Sequence, residues 1–234
     1  MIEKIISDLH NLGTTQNAKI YQRHGAEGNV LGVGIGNLRK LKTKLYREID
    51  NKIIHEYARE LWKTKIVDAR ILCLLICDPK VMTDKEFDRY LKDITYYPMT
   101  DFVADLAFRS KFSIKKLHEW INLPDEMYRR AGYVTLGLMA RKDENLDDEF
   151  FLKFVKKIEK DINKSANRAK EAMNNALIAI GMRNNKLRER ILEAADKIGD
   201  IEIDYGKTRC KTHHIRECLN KKNKNKRYKL FHFR

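Results

Sequence analysis

The chain has 234 residues, 43% hydrophobic and 35% charged, with 48 Lys and Arg against 33 Asp and Glu for a net charge of +15. That is enough apolar content for a sizeable core, and it excludes disorder throughout. Only 3 Pro and 11 Gly argue against a loop-rich β fold, and no apolar run approaches the roughly 18 residues that span a bilayer.

Taken in order, almost every segment repeats its apolar residues with helical period. Ile2, Ile5, Ile6 and Leu9 mark a first amphipathic helix that Gly13 ends. A second opens at Thr15 or Gln16 and stops at Gly25. After a glycine-rich stretch at 25–36, Asn37 begins a third, with Leu38, Leu41 and Leu45 on one face. Asp50 caps a fourth, with Ile53, Ile54, Tyr57, Leu61 and Trp62 inward. Ile66 to Cys77 is nearly all apolar and reads as a buried helix ended by Asp78-Pro79. Thr83-Asp84-Lys85-Glu86 has the form of a capping box. Pro98 and Thr100 start the helix that carries Asp101. Further helices are predicted from Ser113, Asp125, Asp147, Ser165 and Lys186. Only Ile201-Glu202-Ile203 alternates like a strand, too briefly to found a sheet.

The helices come in pairs of about 35–45 residues, the period of HEAT-like or armadillo-like arrays. The expected fold is therefore all-α, with helical repeats stacked into a curved superhelix. An ordinary helical bundle is the alternative. Residues 1–206 are read as one helical-repeat domain. Ile66–Cys77, Tyr128–Ala140 and Ala169–Ile180 are the segments placed innermost. Trp62 and Trp120 read as packing residues.

Charge is the first functional clue. From Lys207 on there are 11 basic residues and one acid, so this segment carries ten of the fifteen net charges. A basic extension at 207–234, partly helical or disordered, on a mildly basic body suits contact with a phosphate backbone. It suits an acidic membrane surface or plain solvation as well. Cys73 and Cys77, one turn apart in an apolar run, read as buried structural thiols of a reducing cytoplasm. Gly32-Val33-Gly34-Ile35-Gly36-Asn37 satisfies neither a dinucleotide fingerprint nor a phosphate-loop motif. It is read as a tight loop feeding a helix, or else as a backbone approach to a phosphate. Cys210, His213, His214 and Cys218 fit no common zinc spacing, so no metal site is expected.

Five fragments then fall in register: residues 30–45 (Val-Leu-Gly-Val-Gly-Ile-Gly-Asn-Leu-Arg-Lys-Leu and onward), 58–78, 97–101 (Tyr-Pro-Met-Thr-Asp), 129–133 (Arg-Arg-Ala-Gly-Tyr) and 172–184 (Ala-Met-Asn-Asn-Ala-Leu-Ile onward). In that order they resemble the AlkD-type DNA alkylation repair family, the HEAT-like-repeat DNA glycosylases, from about residue 30 to 220. Gly206 to Thr212 is similar to a tail found in one branch of that family. The resemblance implies metal-independent and cofactor-free removal of positively charged N3- or N7-alkylated purines from double-stranded DNA held on a concave surface. It implies that Asp101 is the catalytic carboxylate and that Arg130 holds a phosphate. Tyr97 and Asn175 stand where the family has two tryptophans, and Ile178 where one branch has a basic residue.

The chemistry suits the retained part. Cleavage builds positive charge on the sugar, which a carboxylate and an aromatic face stabilise. Tyr97 supplies a face, and Asn175 supplies none. Simpler roles are first-turn stabilisation by Asp101, a pair between Arg130 and Glu126, and ordinary packing by Tyr97. Two functions follow as expectations: a glycosylase acting through Asp101, or a non-catalytic binder of damaged or branched DNA. A protein-interaction scaffold is more remote. Either of the first two would act as a cytoplasmic monomer on alkylated or distorted duplex, away from membranes.

Overall fold

The computed structural model describes residues 1–206, 208 and 210–220, the side chains of 51 and 52 aside. Among them are thirteen α-helices, one 3-10 turn and two isolated β-bridges, and no strand forms. No described helix is long and apolar enough to cross a membrane. The chain divides into two compact units, Met1–Leu106 and Ala107–Arg234.

The first unit holds α1 (Ile2–Leu12), α2 (Thr15–Arg23), α3 (Ile35–Glu48), α4 (Asn51–Lys63), α5 (Val67–Ile76), α6 (Asp84–Lys92) and most of α7 (Pro98–Phe108). α5 sits at its centre because it packs on α1, α3 and α4 at once. Its apolar run is therefore covered on nearly every side, as its composition predicts. Trp62 is buried and lies 4.2 Å from the Tyr90 ring, with the Arg70 guanidinium 4.8 Å over its face.

α6 opens on the expected cap. The Glu86 carboxylate accepts the Thr83 backbone N–H at 2.8 Å and the Thr83 hydroxyl at 3.0 Å. It also accepts Arg59 Nε at 2.8 Å. Burial pushes this carboxyl up, but Arg59 and Thr83 outweigh burial and hold it down at about 2. A carboxyl depressed on folding stabilises the fold above its ordinary value, and that contribution is lost as the pH falls toward the folded value. Acid unfolding should therefore steepen between pH 4.5 and about 2. In Arg59→Gln that limb of a Tm-against-pH curve should flatten.

The second unit holds α8 (Ser113–Trp120), α9 (Glu126–Lys142), α10 (Asp148–Asp161), a 3-10 turn (Ile162–Lys164), α11 (Asn167–Gly181), α12 (Asn185–Ile198) and α13 (Ile215–Asn220). Its most extensive packing is α9 against α11. Both helices are rich in Ala and Gly, which lets them approach closely. A Cβ on Gly132 would stand 2.7 Å from Ile121 Cγ2, so this glycine serves the close contact of α9 with the end of α8. Side-chain caps account for the starts. Asp125 accepts Met127 and Tyr128 N–H, Asp147 accepts Phe150 N–H, and Asn184 accepts Leu187 N–H. Arg183 donates to the carbonyls of Ala140, Asp143 and Leu146, which satisfies the end of α9.

Some expectations for the helices moved: Ile53, expected inward on α4, is 47% exposed. Ser165 does not open α11; its hydroxyl donates to Asp161 O, and the helix begins at Asn167. α3 begins at Ile35, two residues before Asn37. The expected extension contributes α13 to the second unit, and the expectation for 221–234 lies outside the described residues.

Candidate functional site

In the first unit, Tyr97 and Asp101 stand together at the start of α7. Pro98 takes the first helical position, where its missing N–H removes no bond. That places Asp101 in the first turn, at the positive end of the helix. Its carboxylate is 0% exposed. The Thr100 hydroxyl bridges the two residues, lying 2.7 Å from the Tyr97 carbonyl and 3.3 Å from Asp101 Oδ1. Tyr97 is 2% exposed, and its hydroxyl is 2.8 Å from His24 Nδ1 with the rings edge to face. Next to it Tyr96 stacks on Tyr21 at 4.8 Å, and burial pushes the Tyr96 hydroxyl up, so it stays neutral.

The glycine-rich loop lies in the same unit. Two of its amides are occupied: Leu31 N–H donates to Asp68 Oδ2 at 2.7 Å and Val33 N–H to Asp68 Oδ1 at 2.6 Å. Asp68 is fully buried in the first turn of α5. Gly32 between them has φ +79° and sits so close to Thr14 O that a Cβ would clash. At Leu31 and Val33 the loop therefore supplies geometry, and the anion on those two amides is the protein's own.

In the second unit, Arg130 on α9 is 1% exposed. Its Nη1 donates to Glu171 Oε2 at 2.7 Å and to Arg168 O at 3.3 Å, both on α11. Glu126 is not its partner; that carboxylate accepts the Arg168 backbone N–H. Arg168 in turn lies 3.9 Å from Glu171 and faces the Tyr205 ring. Asn175, also on α11, is 3% exposed. Its neighbour Asn174 donates to His213 O at 2.8 Å and ties α11 to the segment before α13.

All four candidate residues are thus deeply buried, two in each unit. Asp68, Glu171 and His24 were not singled out from the sequence. Asp68 had a signal, as the lone acid in a helix otherwise nearly all apolar. Glu171 and His24 had none, since their partners lie 41 and 73 positions away. Among the described residues no three of His, Cys, Asp and Glu gather as a metal site would require.

Less buried cations lie on α3. It carries Arg39, Lys40, Lys42, Lys44 and Arg47 against the single acid Glu48; Lys40 and Arg47 are exposed, and Lys44 pairs with Asp8 at 2.9 Å. Lys40, Thr43, Lys44 and Arg47 line an open cleft along it.

This arrangement has solved and sequence relatives. A solved structure described as a new family of proteins related to the HEAT-like repeat DNA glycosylases, with affinity for branched DNA structures, superposes with a TM-score of 0.82. It is 26% identical and covers 93% of this chain and 92% of its own. Uncharacterized protein Lin0241 of Listeria innocua is 23% identical over 215 residues, 89% of this chain and 91% of that protein. Lmo0209 of Listeria monocytogenes is 22% identical over the same shares. The all-α fold is thus of the HEAT-like repeat type. Residues 5–220 match the model of the DNA alkylation repair enzyme family, and the chain belongs to that family.

Proposed function

We propose that this protein holds branched or otherwise distorted double-stranded DNA through its phosphate backbone and does not excise bases. One observation carries this reading. The positions that would touch a lesion, Tyr97, Asp101, Arg130 and Asn175, are each 3% exposed or less, and Arg130 is engaged by Glu171. Asn175 offers no ring to the sugar. α3 carries an excess of cations, with Lys40 and Arg47 exposed, and the sequence beyond Lys207 carries more. Affinity of the solved relative for branched DNA points the same way. In this reading a monomer binds in the cytoplasm without a cofactor.

Fluorescence anisotropy on a labelled four-way junction and a linear duplex tests it. The junction should bind more tightly, and log affinity should fall linearly with log salt. Replacing the seven Lys and Arg from Lys221 to Arg234 by Gln should flatten that slope by about 2–4, given roughly 0.9 per phosphate contact. A salt-independent affinity, or none, would sink the reading.

The second reading is excision of cationic N3- or N7-alkylated purines. One observation favours it: a carboxylate and an aromatic ring stand side by side at the start of α7. Base release from alkylated duplex separates the two. Wild type and Asp101→Asn should release N7-methylguanine and N3-methyladenine equally, at the background rate. Release by wild type that Asp101→Asn abolishes would establish the enzyme.

A further inference from the structure

The first unit buries a dithiol that the DNA reading does not use. Cys73 lies in the last turn of α5, and Cys77 is the residue that closes it. Their Sγ atoms are 3.8 Å apart, in contact but unbonded, and both residues are buried. His55 on α4 and Tyr90 on α6 act electrostatically on the pair. His55 Nε2 is buried 3.9 Å from Glu86 Oε1, and Tyr90 Oη is buried with no hydrogen-bond partner among the described residues.

We propose that Cys73 and Cys77 form a peroxide-sensitive site that closes reversibly into a disulfide within α5.

The backbone allows the closure. Residues four apart on a helix hold their Cβ atoms about 5–6 Å apart, where a disulfide accepts about 3.5–4.5 Å. Cys77 has already left helical geometry at φ −55° and ψ 134°. Only its N–H is tied to the helix, to Cys73 O at 2.9 Å. A small shift of this last residue brings the sulfurs to bonding distance, which no mid-helix pair could do as cheaply.

The chemistry is divided between the two thiols. The hydrogen bond from Cys73, opposed by burial and aided by His55, draws the Cys77 thiol down, while burial pushes Cys73 up. Cys77 is then the more readily ionised thiol of the two. Cys77 Sγ attacks a hydroperoxide oxygen, the O–O bond breaks, and the departing hydroxide takes a proton to become water. Cys73 Sγ next attacks the sulfenic sulfur of Cys77. The S–O bond breaks, and the second hydroxide leaves as water with the Cys73 proton. Two thiols and one peroxide become a disulfide and two waters; sulfur loses two electrons and the peroxide gains them.

Both cysteines fall on one tryptic peptide, Ile71–Lys80, so mass spectrometry reads the linkage directly. The full chain is exposed to hydrogen peroxide, quenched with catalase, denatured, and alkylated with iodoacetamide. The peptide should appear unalkylated at about 2 Da below its reduced mass and should return to the doubly alkylated form after dithiothreitol. Exposed Cys210 serves as the internal measure of oxidant dose. In Cys73→Ser the shift should vanish and Cys77 should be trapped by dimedone as the sulfenic acid. Wild type decides alone if that variant does not fold. The proposal is overturned if the peptide stays doubly alkylated at a dose that oxidises Cys210. It is equally overturned if Cys77 ends as a sulfinic acid while Cys73 is alkylated.

Discussion

Glu171→Ala should destabilise the protein by about 3–5 kcal/mol, the usual loss when one partner of a buried ion pair is removed. Arg130 is 1% exposed and its Nη1 rests on Glu171 Oε2 at 2.7 Å. Guanidinium does not neutralise near physiological pH, so Arg130 would lose its Glu171 contact while remaining charged and buried. The reverse truncation is milder. In Arg130→Ala, Glu171 keeps 14% of its side chain exposed and has Arg168 nearby, so about 1–2 kcal/mol should be lost. Replacing both residues by Met should recover part of the stability, because the two charges of this pair leave the interior together. Urea unfolding of the four proteins closes the cycle. The same Arg130→Ala protein speaks to function. A phosphate ligand would lower the salt slope of DNA binding by about one when removed. A structural arginine should leave that slope unchanged, which is the outcome expected here.

Asp68→Asn should cost about 2–4 kcal/mol, and the damage should be local to the glycine-rich loop. Both carboxylate oxygens accept loop amides, at 2.7 and 2.6 Å. An asparagine offers one oxygen and turns an NH2 group toward the other N–H. One buried donor is then unsatisfied and a second is opposed. Hydrogen exchange should show the Leu31 and Val33 amides losing protection while the amides of α9 and α11 keep theirs. Equal loss in both units would mean that Asp68 supports more than this loop.

Helices were legible because their signals are local. Apolar spacing, Thr83 with Glu86, Asp125, Asp147 and Pro98 each act within one or two turns, and each element formed close to where these residues placed it. The family was legible too, since several fragments fell in register across the chain. The four site positions could be named from that resemblance, but their state could not. Position alone does not say that Asp101 is 0% exposed or that His24 meets the Tyr97 hydroxyl.

The sequence by itself therefore determined the helical elements, their caps, the innermost segments and the family. Tertiary structure alone decided which charges meet. Arg130 had Glu126 one turn away and chose Glu171, because α9 and α11 approach closely through small residues and put that carboxylate within 2.7 Å. Helical period depends on neighbours along the chain, whereas burial and ion pairing depend on what packing brings across it.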